Sequence, residues 1–136
     1  MRGGEETVAA LTAQAYDAAL SPGGWQELAV SLERAFGGPI ALCRHSDRPL
    51  GIYASTLDPA TASDYLEHYW RLDHGPKRLA RAQPAEVVLG ANLRKASPPG
   101  WSEYLNDYLR PIGCDEILYA SPFRAADEFV VLSVSR

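Results

Sequence analysis

The chain has 136 residues, 46% apolar and 22% charged, which is the size and make-up of one folded domain with a single core. A net charge of -4 and a pI near 5.3 exclude the strongly basic footprint of a stand-alone nucleic-acid binder. No run approaches ~18 apolar residues, and the opening MRGGEETVAAL has no apolar core, so neither a membrane span nor a signal peptide is expected. The expected location is the cytoplasm, with Cys43 and Cys114 as reduced thiols.

Residues 5–20 keep a helical period through Val8, Leu11, Ala15, Ala18 and Ala19, and Ser21-Pro22-Gly23-Gly24 stops it. Trp25 to Phe36 predicts a second helix, with Trp25, Leu28, Ala29, Leu32 and Phe36 on one stripe and Gly37-Gly38 as its C-terminal cap. Four turn residues between two helices predict an antiparallel helical hairpin whose apolar faces need a cover. Pro39 to His45 and Leu50 to Ser55 read as paired strands around the turn Ser46-Asp47-Arg48-Pro49.

Asp58 as N-cap and Pro59 at the first helical position open a helix expected to run to about Leu72. Asp73-His74-Gly75-Pro76 breaks it, and Lys77 to Ala82 forms a short basic turn of helix. Ala85 to Leu89 reads as a short strand, and Gly90 to Gly100, polar and with two prolines, as a loop. Trp101 to Leu109 predicts a helix with Trp101, Tyr104, Leu105 and Tyr108 as its apolar stripe, ended by Pro111 and Gly113. Glu116 to Arg124 and Glu128 to Val134 read as a closing hairpin about Ala125-Ala126-Asp127. Its second strand, within the most apolar run of the chain, FVVLSVS, is expected at the centre of the sheet. The order predicts a single α+β domain over residues 1–136: a mostly antiparallel sheet of about five strands with helices packed on it.

Tyr65, Tyr69 and Asp73 are spaced by four, which on a helix puts two phenols and a carboxylate on one face, with Trp70 beside them. Of the 13 aromatics, six fall in two short helices: Tyr65, Tyr69 and Trp70, then Trp101, Tyr104 and Tyr108. If both helices cover one side of the sheet, they enclose either a ligand cavity with phenols and one acid to orient a guest, or a solid aromatic core. A cavity of roughly 300 Å³ or more distinguishes the two. Tyr53, on the returning strand, is a further candidate lining residue.

Catalysis has weak support. Cys43 and His45 share a strand face, as a thiol nucleophile and its base must, yet a cysteine in mid-strand is ordinarily a small buried hydrophobe. His45, His68 and His74 match no metal-ligand spacing, so no metal and no cofactor are expected. Between Arg71 and Lys95 six basic residues face only Asp73 and Glu86. That stretch reads as a solvated face or as a docking patch for an acidic partner.

The segments AYDAALSPGGWQELAVSLERAFGG, DYLEHYWRLD and WSEYLNDYLRPIG resemble the N-terminal sensory half of LuxR-type helix-turn-helix transcriptional regulators, over nearly the whole chain. The resemblance implies a PAS/GAF-like α+β sensory domain that binds a small molecule, autoinducer-like, between sheet and helices. It further implies homodimers, and DNA contact only through a helix-turn-helix domain that these residues do not include. By similarity Tyr65, Tyr69 and Asp73 match the family's aromatic–aromatic–acid motif, and Trp101 a further tryptophan. The sequence departs from the family in reading Asp73-His74-Gly75-Pro76 where the family has Asp-Pro, and in a shorter spacing from Tyr69 to Asp73. The resemblance implies ligand-holding roles for Tyr65, Tyr69, Asp73 and Trp101; Tyr53, Trp70 and Tyr104 join them as candidate ligand-binding residues from the aromatic pattern, no enzyme activity is expected, and the alternative is a ligand-free dimerisation module.

Overall fold

The computed structural model describes residues 2–83, 85–96 and 98–136. Five strands form one sheet: β1 (Ile40–His45), β2 (Pro49–Ser55), β3 (Val87–Leu89), β4 (Ile117–Arg124) and β5 (Phe129–Ser135). Their order is β2-β1-β5-β4-β3, and every neighbouring pair runs antiparallel. The fold is α+β, as the hairpin pairing of the strands predicts. β5 lies at the centre, as its largely apolar run leads one to expect of a strand covered on both faces.

On one face, α1 (Arg2–Ala18) and α2 (Gly24–Phe36) form the expected hairpin. α2 lies on β1 and β2, where Ala29, Ile40, Leu42, Ala54 and Val134 make a dry aliphatic cluster edged by Trp25 and Leu32. Gly37 ends α2 in the left-handed region, φ 80°. α1 packs chiefly on α2, and Val8 and Tyr16 on it stay exposed.

The other face carries α3 (Pro59–Glu67), a 3₁₀ turn (Tyr69–Arg71), α4 (Gly75–Leu79), α5 (Gly90–Ala96) and α6 (Trp101–Glu103). α6 runs on as a π-helical stretch, Tyr104–Leu109, and a 3₁₀ turn, Arg110–Ile112. The larger core cluster, with Leu79, Leu93, Trp101, Tyr104, Leu109 and Tyr119, sits between this layer and the sheet.

Four differences from the sequence reading bear on the layer over the second face. The helix from Pro59 does not reach Leu72: it ends at Glu67, and His68 leaves helical space at φ -136°, ψ -58°. The break lets Tyr69 pack on Tyr108, ring centroids 4.7 Å apart and tilted by 33°, and carries Asp73 into the interior. Pro76 opens α4 rather than closing the previous helix, since proline is tolerated in a first turn. Gly90 to Ala96 is helical where a loop was expected, because Leu93 is buried in the core and both prolines fall after the helix; Ser97 lies outside the described residues. β3 begins at Val87, since Ala85 turns through φ 66°.

Candidate functional site

Strand alternation sends Ile40 and Leu42 of β1 to the dry face and Cys43 and His45 to the helical layer opposite. Ile117 and Tyr119 of β4 and Ser133 of β5 point the same way as Cys43. Against them stand Tyr65 of α3, Asp73 after the 3₁₀ turn, and Tyr104 and Tyr108 of the π-helical stretch. The extra residue per turn of a π segment sets both of these rings inward; they stack at 5.4 Å and 17°. The space enclosed is about 40 Å³. That is little more than one water's share of liquid volume, ~30 Å³.

Asp73 is the centre of this layer and only 4% exposed. Tyr119 donates to its Oδ1 at 2.6 Å, the Gly75 N–H to the same oxygen at 3.1 Å, and Tyr65 to Oδ2 at 2.7 Å. A Cβ on Gly75 would lie 2.2 Å from the Tyr119 ring, so glycine is what lets this backbone N–H reach the acid. Burial pushes the Asp73 carboxyl above the usual range, while the hydrogen bonds from Tyr119, Tyr65 and Gly75 pull it back. Burial first, and then the Asp73 charge, holds Tyr65, Tyr104 and Tyr119 well above the usual phenol value. They therefore remain donors.

His45 is 4% exposed and stacks on Phe129 at 5.9 Å. Among the described residues its Nε2 is the one buried side-chain polar atom without a hydrogen-bond partner. Burial lowers its pKa to about 4, so the ring is neutral at pH 7. Burial pushes the Cys43 thiol up to about 12, and its Sγ donates to the Arg44 carbonyl at 3.5 Å. The strand face shared by Cys43 and His45 thus holds a thiol that burial keeps protonated and an Nε2 without a partner. His68 lies beside Glu103 at 3.3 Å, and His74 Nε2 meets the Pro99 carbonyl at 2.7 Å. Among the described residues no three His, Cys, Asp or Glu side chains come together as a metal site.

Of the candidates read from sequence, the structure brings Tyr65, Asp73 and Tyr104 to the cavity. Tyr69 does not line it but packs on Tyr108, which does. Trp70 lies outside, in a cleft that adjoins the cavity through His45 and Asp73, with the Arg71 guanidinium 5.0 Å over its ring. Trp101 is buried against Tyr104, under an open groove on another side that runs past Leu105 and Ile117. Tyr53 stands on the opposite face of the sheet, edge-on to Trp25 at 6.3 Å. Sequence reasoning missed Tyr119, whose signal was strand alternation with Ile117, and gave no binding role to His45 and Cys43.

An α+β domain whose antiparallel sheet and outer helices enclose a buried acid–phenol network is the class that fold and site define. In overall structure the chain is similar to the VqsR LBD domain from Pseudomonas aeruginosa, known from a crystal structure, with a TM-score of 0.65 at 16% identity. The match covers 98% of this chain and 79% of that chain. Likeness at that identity bears on the fold. No family model and no curated protein matches the sequence.

Proposed function

We propose that residues 1–136 are a small-molecule-sensing regulatory domain of the LuxR type, PAS/GAF-like, in which a ligand is read by the layer around Asp73, Tyr65, Tyr104 and Tyr119. The observation that carries this reading is the buried polar set between sheet and helices. A core that only had to pack has no use for a carboxylate, three phenols and an imidazole nitrogen without a partner. The unpaired nitrogen alone costs about 1–3 kcal/mol. The similarity to a ligand-binding domain at the level of fold supports the same reading, as do the three sequence phrases.

The cavity of about 40 Å³ means that a guest of ordinary ligand size must displace the layer that closes it. The movable part is the segment from α3 to α4, whose helix is already broken at His68. Ligand would favour one position of that segment, and the bias would pass to a dimer partner or to a DNA-binding domain outside these residues. The site is one of binding and not of catalysis, with its single thiol held protonated.

A second reading has an observation of its own. The small cavity, together with Val8 and Tyr16 exposed on α1, fits a ligand-free dimerisation module. Native mass spectrometry of the purified protein, repeated after denaturation, separates the two. A small-molecule adduct that is lost on denaturation, and that Asp73→Ala and Tyr69→Ala fail to retain, supports the sensor. A bare dimer mass shifts the reading to the dimerisation module.

A further inference from the structure

Between the β1–β2 turn and α4 lies a cleft of about 320 Å³, a volume at the lower end of small-molecule sites. Arg48 reaches it from the turn, and Lys77 and Arg81, four residues apart, from α4 and the turn that follows. All three are exposed and, among the described residues, none takes part in an ion pair or a side-chain hydrogen bond. Elsewhere on this acidic chain Arg44, Arg78, Arg110 and Arg136 each meet a carboxylate. The cleft holds two acids. Asp47 is engaged with the Ser46 hydroxyl at 2.9 Å, and Asp73 is buried among its own donors. Trp70 supplies a flat wall, and the floor is His45, whose buried Nε2 has no partner.

We propose that this cleft binds a small organic anion with a flat apolar body, its charged group among Arg48, Lys77 and Arg81, its body against Trp70, and one oxygen on His45 Nε2. Three cations left without acids, lining one cleft with a buried ring nitrogen that has no partner, are what an anion site needs: charge for attraction and, in the Nε2–H tautomer, a directed hydrogen bond for position. The volume limits the guest to about a bicyclic aromatic carboxylate or phosphate monoester. The inference rests on the reading that the domain senses a small molecule, and adds the charge of that molecule and its side of entry. His45 and Asp73 line both cleft and cavity, so a guest on His45 lies one side chain from the acid–phenol network.

The test uses the full chain, isotope-labelled for NMR, titrated with matched pairs: benzoate and benzamide, indole-3-acetate and indole-3-acetamide, with phenyl phosphate as a third anion. At least one anion should give saturable shifts of the Trp70 indole N–H and the His45 ring. Its neutral partner should bind about tenfold more weakly or worse. The stronger of carboxylate and phosphate identifies the source of the charge. Lys77→Glu with Arg81→Glu should weaken the anion by about tenfold, leave the thermal unfolding midpoint unchanged, and be mimicked by added salt. The proposal is overturned if no anion shifts these groups at about 10 mM, if acid and amide bind alike, or if binding survives the double charge reversal. Amides that instead shift Tyr65, Tyr104 and Tyr119 would sink the anion site and keep the sensor, whose own failure is read separately from the absent adduct.

Discussion

The two faces of the sheet are built from the same strands by opposite rules. β1 sends Ile40 and Leu42 into an aliphatic layer under α2, and Cys43 and His45, residues from the same six, into a layer of phenols and acid. The first face needs only shape and apolar area. The second keeps its polar groups through specific partners, and leaves one of them, His45 Nε2, without any. The contrast separates a face that holds the fold from a face that holds chemistry, and substitutions that respect strand alternation test it.

The largest effect belongs to the dry face. Leu42→Ala removes a buried side chain from the cluster with Ile40 and Val134 and should cost about 2–5 kcal/mol. Cys43→Ala, one residue on and equally buried, removes one atom and should cost about 1 kcal/mol. Urea midpoints for the pair check this; equal losses would mean that the faces are not energetically distinct.

Acid should act through the other face. Unfolded, His45 takes up a proton near pH 6.5, whereas folded it resists until about 4. Between those values the unfolded chain binds more protons, so stability falls as pH falls, by about 3 kcal/mol across the whole window. Asp73, raised by burial, has the opposite sign and offsets part of this. The neighbouring charges Asp47, Arg48, Lys77 and Arg81 are exposed and weigh less. His45→Phe keeps the stacking on Phe129 and removes the titration, so its midpoint should change less than the parent's between about pH 7.5 and about pH 4.5. An unchanged pH dependence would rule out His45 as the group responsible.

Tyr119→Phe removes the 2.6 Å donor to Asp73 without a change of shape. A hydrogen bond to a charged group is worth about 1.5–3 kcal/mol, and that range is the expected loss. The Asp73 carboxyl should also titrate higher, since one of the donors that lowers it is gone. Carbon-detected NMR of that carboxyl reads the second effect, which a merely structural role for Tyr119 would not produce.

Much of this was legible. Asp58 caps α3 as the sequence proposed, accepting from Ala60 N–H at 3.0 Å and Thr61 N–H at 3.2 Å, because an N-cap is a local event. The central place of β5 followed from its composition. The pairing of Tyr65 with Asp73 was read correctly as one face, but for an incomplete reason. The helix that was to align them is broken at His68, and the two meet because Tyr119 and Gly75 hold Asp73 in the interior. Nothing between Pro59 and Leu72 marks that break, since its cause lies on β4 and on the π-helical stretch, far off in sequence. Alternation with Ile117 gave the face of Tyr119, but its pairing with Asp73, 46 residues away, had no local signal.

Tyr53 is the smallest and sharpest case. On sequence it joined the aromatic set, yet alternation along β2 places it beside Trp25 on the dry face, 41% exposed. Tyr53→Ala loses one edge-to-face aromatic contact and part of its cover, so about 0.5–1.5 kcal/mol of stability should go. Ligand retention and the shifts of Tyr65, Tyr104 and Tyr119 should not move at all. A retained adduct in Tyr53→Ala beside a lost one in Asp73→Ala would assign binding to one face of the sheet. The reverse pattern would place the ligand under α2, and the phenols and acid opposite would then be no more than a polar core.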